Sequence, residues 1–124
     1  TSTPALFFTR TLEAYGTPVF SIIGKASIAY MPTDRVVGIS KLARVLQAYA
    51  SRLQVQERLT AEVAQCIWDN LKPDGVAVVV EAQHGCMTGR GVKVHGVNMV
   101  TSKLFGCFLD DQSSRKEVMS LMGY

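Results

Sequence analysis

A histidine and a cysteine two residues apart, His84 and Cys86, close a run in which Val76, Val78, Val80 and Ala82 alternate with Ala77, Val79, Glu81 and Gln83. Such alternation belongs to a β-strand, whose two-residue period sets His84 and Cys86 on one face. An imidazole there can move protons near neutral pH, and a thiolate there can ligate a metal. The same pair also suits a dry core, because a free thiol packs like a small hydrophobe and buried histidines are common. One cysteine alone does not hold zinc. The only other candidates are His95, Cys66 and Cys107, and no His-x-x-x-His or Cys-x-x-Cys spacing links any of them.

A second group is cationic. Lys41 and Arg44 stand one helical turn apart just after Ser40, and Arg90 follows the Cys86 strand after Gly89. Each alone reads as a solvated charge; together with the free amides of a helix start near Ser40 they make an anion site suited to phosphates. Gln56 and Glu57 fall at the start of a second helix, where a glutamate also meets the helix dipole favourably without any further role.

The elements that position these residues follow from the pattern. Residues 5–13 are rich in strand formers, a Gly-Thr-Pro interruption follows at 16–18, and a second strand runs from Val19 to Tyr30. After the turn-like Pro32-Thr33-Asp34-Arg35, the spacing of Leu42, Val45, Leu46, Tyr49, Ala50 and Leu53 predicts an amphipathic helix from about Ser40. Leu59, Val63, Cys66, Ile67 and Leu71 predict another, after the polar Gln54–Arg58 stretch and before the Pro73-Asp74-Gly75 turn. The His84 strand comes next, then a strand over Val100–Leu109. Ser114 with Glu117 forms a capping box opening a short helix through Leu121. The order is ββααββ plus a terminal helix, an α+β layer of two helices on an antiparallel sheet. Residues 1–124 read as one domain without repeat or linker.

Composition narrows the functions. The 124 residues carry 13 Lys+Arg against 10 Asp+Glu, a net charge of +3, with 48% hydrophobic and 19% charged residues. That fills a core and leaves a surface with few charges, which favours assembly with further copies of the chain. No apolar run is long enough to span a membrane and the first residues show no secretory pattern, so a soluble protein is expected. Three scattered cysteines imply a reducing, cytoplasmic setting rather than a disulfide framework. No Lys/Arg-rich block marks a nucleic-acid surface, whereas an anionic small molecule fits the charge.

Taken in order, these residues resemble the GTP cyclohydrolase I family over nearly the whole chain. The resemblance is carried by Gly24-Lys25-Ala26, Tyr30-Met31-Pro32, Val37-Gly38-Ile39-Ser40-Lys41-Leu42-Ala43-Arg44, Arg52-Leu53-Gln54-Val55-Gln56-Glu57-Arg58-Leu59-Thr60, Val76–Ala82, His84-x-Cys86-Met87 and Arg90-Gly91. It implies the tunnelling fold (T-fold), whose ββααββ subunits join sheets edge to edge into rings, here two stacked rings making a homodecamer. It implies that Glu57, with Gln56 beside it, holds the guanine of GTP or a pterin. Ser40, Lys41, Arg44 and Arg90 would line the triphosphate and ribose end. His84 would transfer protons while the imidazole ring opens, and Cys86 would be one of three zinc ligands. The implied reaction gives formate and dihydroneopterin triphosphate, serving tetrahydrofolate or tetrahydrobiopterin biosynthesis.

The chain departs from that family at the other two zinc ligands, which come from a Cys-Glu-His-His segment shortly before Gly-Lys. Aligned forwards from Phe7-Phe8-Thr9 the segment falls on Leu12-Glu13-Ala14-Tyr15, and counted back from Gly24 on Tyr15-Gly16-Thr17-Pro18. Neither contains Cys or His, and none occurs before Cys66. A single retained ligand does not make a three-ligand zinc site, so the alternative is a ring subunit that binds GTP or a pterin without turning it over. Val97 and Met99 replace hydroxyl side chains of the family, although Thr101 and Ser102 remain. The family's N-terminal helical region is also absent from this sequence.

Overall fold

The structure, a computed structural model, describes residues 6–17, 20–50, 56–86 and 97–124; for residues 8, 10–17, 20–23, 83–86, 97 and 98 it describes the backbone alone. Two long strands, β1 (Leu6–Thr17) and β2 (Phe20–Met31), are followed by helices α1 (Ile39–Ala50) and α2 (Gln56–Leu71). Strands β3 (Gly75–Cys86) and β4 (Val97–Gly106), a short helix α3 (Cys107–Asp110) and α4 (Gln112–Leu121) complete the chain. The described strands form one antiparallel sheet in the order β1-β2-β3-β4. This is the ββααββ order expected.

Register explains the core. Ala26, Ile28 and Tyr30 of β2 pair with Val80, Val78 and Val76 of β3, so the two apolar stripes lie side by side on one face. Leu42, Leu46 and Ala50 of α1 and Leu59, Val63, Ala64 and Ile67 of α2 close over them. Burying each Val, Leu or Ile contributes about 1.5–3 kcal/mol, which ties both helices to the sheet. The opposite face is also covered in part: Ala29, Ala77 and Val79 lie beneath Phe108, Val118 and Met122. That second cluster explains why β3 is apolar on both faces from Val76 to Val80.

Two expectations about the C-terminal region are corrected. The strand stops at Gly106 instead of continuing to Leu109, because Gly106 adopts φ 66° and a side chain there would run into the Asp74 carbonyl. The chain then turns into α3, with the Cys107 N–H donating to Asp74 O at 2.8 Å. Helix α4 is capped by Asp111 rather than by a Ser114–Glu117 box. The Asp111 carboxylate accepts from the Ser113 N–H at 3.2 Å and from Ser114 Oγ at 2.7 Å, so Ser114 lies inside the first turn. Helix α2 begins at Gln56, with Gln56 and Glu57 in its first turn as expected, and takes in the end of the polar stretch. Leu53 lies outside the described residues. No helix among the described residues is long and apolar enough to cross a membrane.

Candidate functional site

The first turn of α2 carries two neighbours with opposite fates: Gln56 is 3% exposed, and Glu57 points to solvent. Successive helical residues lie about 100° apart, so burying one releases the next. Gln56 Nε2 donates to Val80 O and Met99 O, each at 3.0 Å, and reaches Thr101 Oγ1 at 3.2 Å. One turn on, the buried Thr60 hydroxyl donates to Gln56 O at 2.9 Å and sits 2.7 Å from Thr101 Oγ1. The polar groups of the turn are thus engaged by β3 and β4, as burial requires. Glu57 stands on that platform.

The cationic group lies at the other end of the helix pair. Tyr30 Oη accepts from the Val37 N–H at 3.1 Å and donates to Val37 O at 3.4 Å, which latches the chain to the sheet just before α1. Gly38 O then accepts from Lys41 N and Leu42 N at 3.0 and 3.2 Å, opening the helix. Ser40, Lys41 and Arg44 are exposed. Lys41 borders an apolar cavity of about 390 Å³ between the helices, with Val45, Cys66, Ile67 and Asn70 among its walls. Asn70 is thirteen residues, or about 20 Å, from Glu57 along α2, so the cavity that Lys41 borders lies toward the far end of α2 from Glu57.

Strand β3 continues past Val80, where Gln56 is anchored, toward His84 and Cys86, whose backbone pairs with Ile22 and Phe20 of β2. His84 and Cys86 therefore belong to the Glu57 end. Arg90 and His95 lie outside the described residues. Across the sheet, Ala14, Ile22, His84 and Val97 fall in one row, so the Leu12–Tyr15 stretch crosses the sheet at the level of His84.

Among the described residues, neither Cys66 nor Cys107 is placed to complete a zinc centre at the Cys86 end of β3. Cys107 lies against Gly75 at the opposite end of β3, eleven residues or about 36 Å from Cys86. Burial first, and then the nearby Asp74 carboxylate, push its thiol up, away from the thiolate a metal needs. Cys66 is half-buried in α2, where its Sγ accepts from Asn70 Nδ2 at 3.6 Å. Among the described residues no three His, Cys, Asp or Glu side chains gather where they could hold a metal ion.

On the face opposite the helices, Tyr124 Oη donates to Glu81 Oε2 at 2.8 Å, and Lys25 Nζ lies 3.6 Å from the same oxygen. Loss of hydration, followed by the contact with Glu81, pushes the Tyr124 hydroxyl up to about 12.

The sequence profile of GTP cyclohydrolase I matches residues 19–123. The chain belongs to the GTP cyclohydrolase I family. It is 51% identical over 104 residues to GTP cyclohydrolase 1 2 of a Nostoc species, covering 84% of this chain and 48% of that protein. It is 54% identical over 101 residues to GTP cyclohydrolase 1 of Thermoanaerobacter pseudethanolicus, covering 81% of this chain and 54% of that one. The chain thus spans about half the length of the curated relatives it matches. The backbone resembles the apo archaeosine synthase QueF-Like with a TM-score of 0.67 at 18% identity, over 86% of this chain and 97% of that one. At that identity the likeness shows the fold alone, which is the tunnelling fold. In this GTP cyclohydrolase I-like chain the profile match begins at residue 19, so the Leu12–Tyr15 stretch lies outside it.

Sequence reasoning missed two members of the site's support. Thr60 stands in the sequence only as the end of the Arg52–Thr60 motif and Thr101 only as a hydroxyl retained from the family pattern, yet the two meet beneath Gln56. The available signal was spacing: Gln56 and Thr60 share the inward i, i+4 face with Leu59 and Val63.

Proposed function

We propose that this chain is a single T-fold domain that recognises the guanine of GTP through Glu57, and that it serves the family's reaction: hydrolytic opening of the imidazole ring to formate and dihydroneopterin triphosphate. The observation that carries the reading is an exposed Glu57 on a buried polar platform, in a chain about half identical to named GTP cyclohydrolases. A carboxylate can accept two parallel hydrogen bonds, from the ring N–H and the exocyclic amine of guanine. Gln56 supports it. His84, on the same end, would move protons during ring opening.

Lys41 borders the cavity toward the far end of α2 from Glu57, and among the described strands β1 and β4 are left as open edges. Both features favour a site shared between copies. The guanine of one protomer's Glu57 would send its triphosphate toward Ser40, Lys41 and Arg44 of the partner subunit, with Arg90 completing the phosphate end. The assembly would be a homo-oligomeric ring, a decamer by family resemblance, working in the cytoplasm on a tetrahydrofolate or tetrahydrobiopterin route.

One observation favours a second reading. Zinc would need two further ligands beside Cys86, and no Cys or His precedes Cys66. A ring subunit that binds GTP or a pterin without turnover follows from that. Incubating the purified oligomer with GTP and added zinc, and measuring formate and dihydroneopterin triphosphate against Cys86→Ala, separates the two. Turnover above the variant supports the enzyme; GTP binding without turnover supports the second reading; neither binding nor turnover defeats both.

A further inference from the structure

We infer that Gln56, Thr60 and Thr101 form a closed hydrogen-bonded circuit that positions Glu57 for reading the 2-amino group of guanine, with Gln56 acting as a positioning residue. This rests on the reading of Glu57 as the guanine anchor. The direction of every bond in the circuit follows from chemistry. A carbonyl only accepts, so the Thr60 hydroxyl spends its single proton on Gln56 O. An amide nitrogen only donates, so Thr101 Oγ1 accepts from Gln56 Nε2. The 2.7 Å contact between the two threonines then leaves one arrangement, Thr101 donating to Thr60.

The circuit runs from the Gln56 side chain to Thr101, to Thr60, and back to the Gln56 carbonyl. It joins α2 to β4, and the two Nε2 hydrogens are shared among Thr101 Oγ1 and the Met99 and Val80 carbonyls on two adjacent strands. Buried hydrogen-bond networks fix geometry more tightly than apolar contact does. Glu57 is the next residue along the chain. A bidentate contact tolerates little misplacement, and a lost hydroxyl in the circuit would let the carboxylate turn away from one of its two donors.

The test compares GTP with inosine triphosphate, which lacks the exocyclic amine, by calorimetry on the assembled protein. Wild type is expected to favour GTP by about ten-fold or more. Thr101→Val keeps the shape and removes the hydroxyl. It is expected to weaken GTP about ten-fold while leaving inosine triphosphate within about two-fold, so that discrimination collapses; Thr101→Ser restores it. A folded Thr101→Val with the wild-type ratio, or with both affinities reduced alike, overturns the positioning role. Wild type that binds without preferring GTP overturns the reading of Glu57 instead. If Thr101→Val does not fold, Thr60→Val breaks the same circuit and is judged identically. If neither folds, amide hydrogen exchange of wild type decides: the proposal requires Thr60 and Ala61 to exchange more slowly than Ala43 and Arg44 in α1, and equal or faster exchange overturns it.

Discussion

The two ends of the helix layer are built differently. At the Glu57 end a buried glutamine and two threonines fasten the first turn of α2 to two strands through directed hydrogen bonds. At the Lys41 end the helix start rests on one tyrosine latch and an apolar cavity, and its charges stand on long exposed stems. The difference matches what each end would bind. A planar base read by a carboxylate needs a fixed angle, whereas a phosphate attracted by an ammonium group needs only proximity. Rigidity is placed where geometry carries information.

The comparison breaks most completely if both ends lose their common base. Leu46, on the inner face of α1, is fully buried in the core that also receives Leu59 and Val63 of α2. Leu46→Ala should cost about 2–5 kcal/mol and shift the denaturant midpoint with one cooperative transition. Two separate transitions would mean that the ends are independent units. Glu57→Ala attacks one end alone: GTP binding should weaken by about 2–3 kcal/mol with thermal stability nearly unchanged, since the side chain is exposed. Unchanged affinity would place the purine elsewhere. Lys41→Ala attacks the other end, and a loss of about 1 kcal/mol for GTP is expected, with none for guanosine, which lacks the phosphates. Equal losses for both ligands would contradict the division of labour.

The smallest effect concerns the face opposite the helices. The Tyr124 hydroxyl titrates at about 12 in the fold against 10 ordinarily, so its protonated form is favoured by folding. Its contribution is complete below pH 10 and disappears as pH rises toward 12. Tyr124→Phe should flatten stability between those values and leave GTP affinity unchanged. An affinity change would show that the lower face of β3, at Glu81, also shapes the Glu57 end.

Much of this fold was legible in the sequence because its signals are long and redundant. The Val76–Ala82 alternation and the spacing from Leu42 to Ala50 each repeat a period several times, so β3 and α1 follow directly. Misreadings fell where one residue decides. Gly106 ends β4 through a positive φ that an apolar run conceals, and Asp111 displaced Ser114 as the cap by being nearer the first free amides. Burial of Gln56 was illegible for another reason: a polar residue faces inward only when partners await it, and Met99 and Thr101 lie more than forty residues away in sequence. The family pattern identified Glu57, Lys41 and Arg44 by type; their separation to opposite ends of α2 and α1 emerged from the antiparallel helix pair.

The shared site is tested most directly by complementation. Glu57→Ala and Lys41→Ala oligomers should each lack GTP sites of wild-type affinity. Dissociated together and reassembled at equal amounts, they should regain about a quarter of the wild-type high-affinity sites, because random mixing leaves that fraction with an intact Glu57 facing an intact Lys41 of the partner subunit. Mixed oligomers that form yet recover no sites would contradict a binding site built from two protomers.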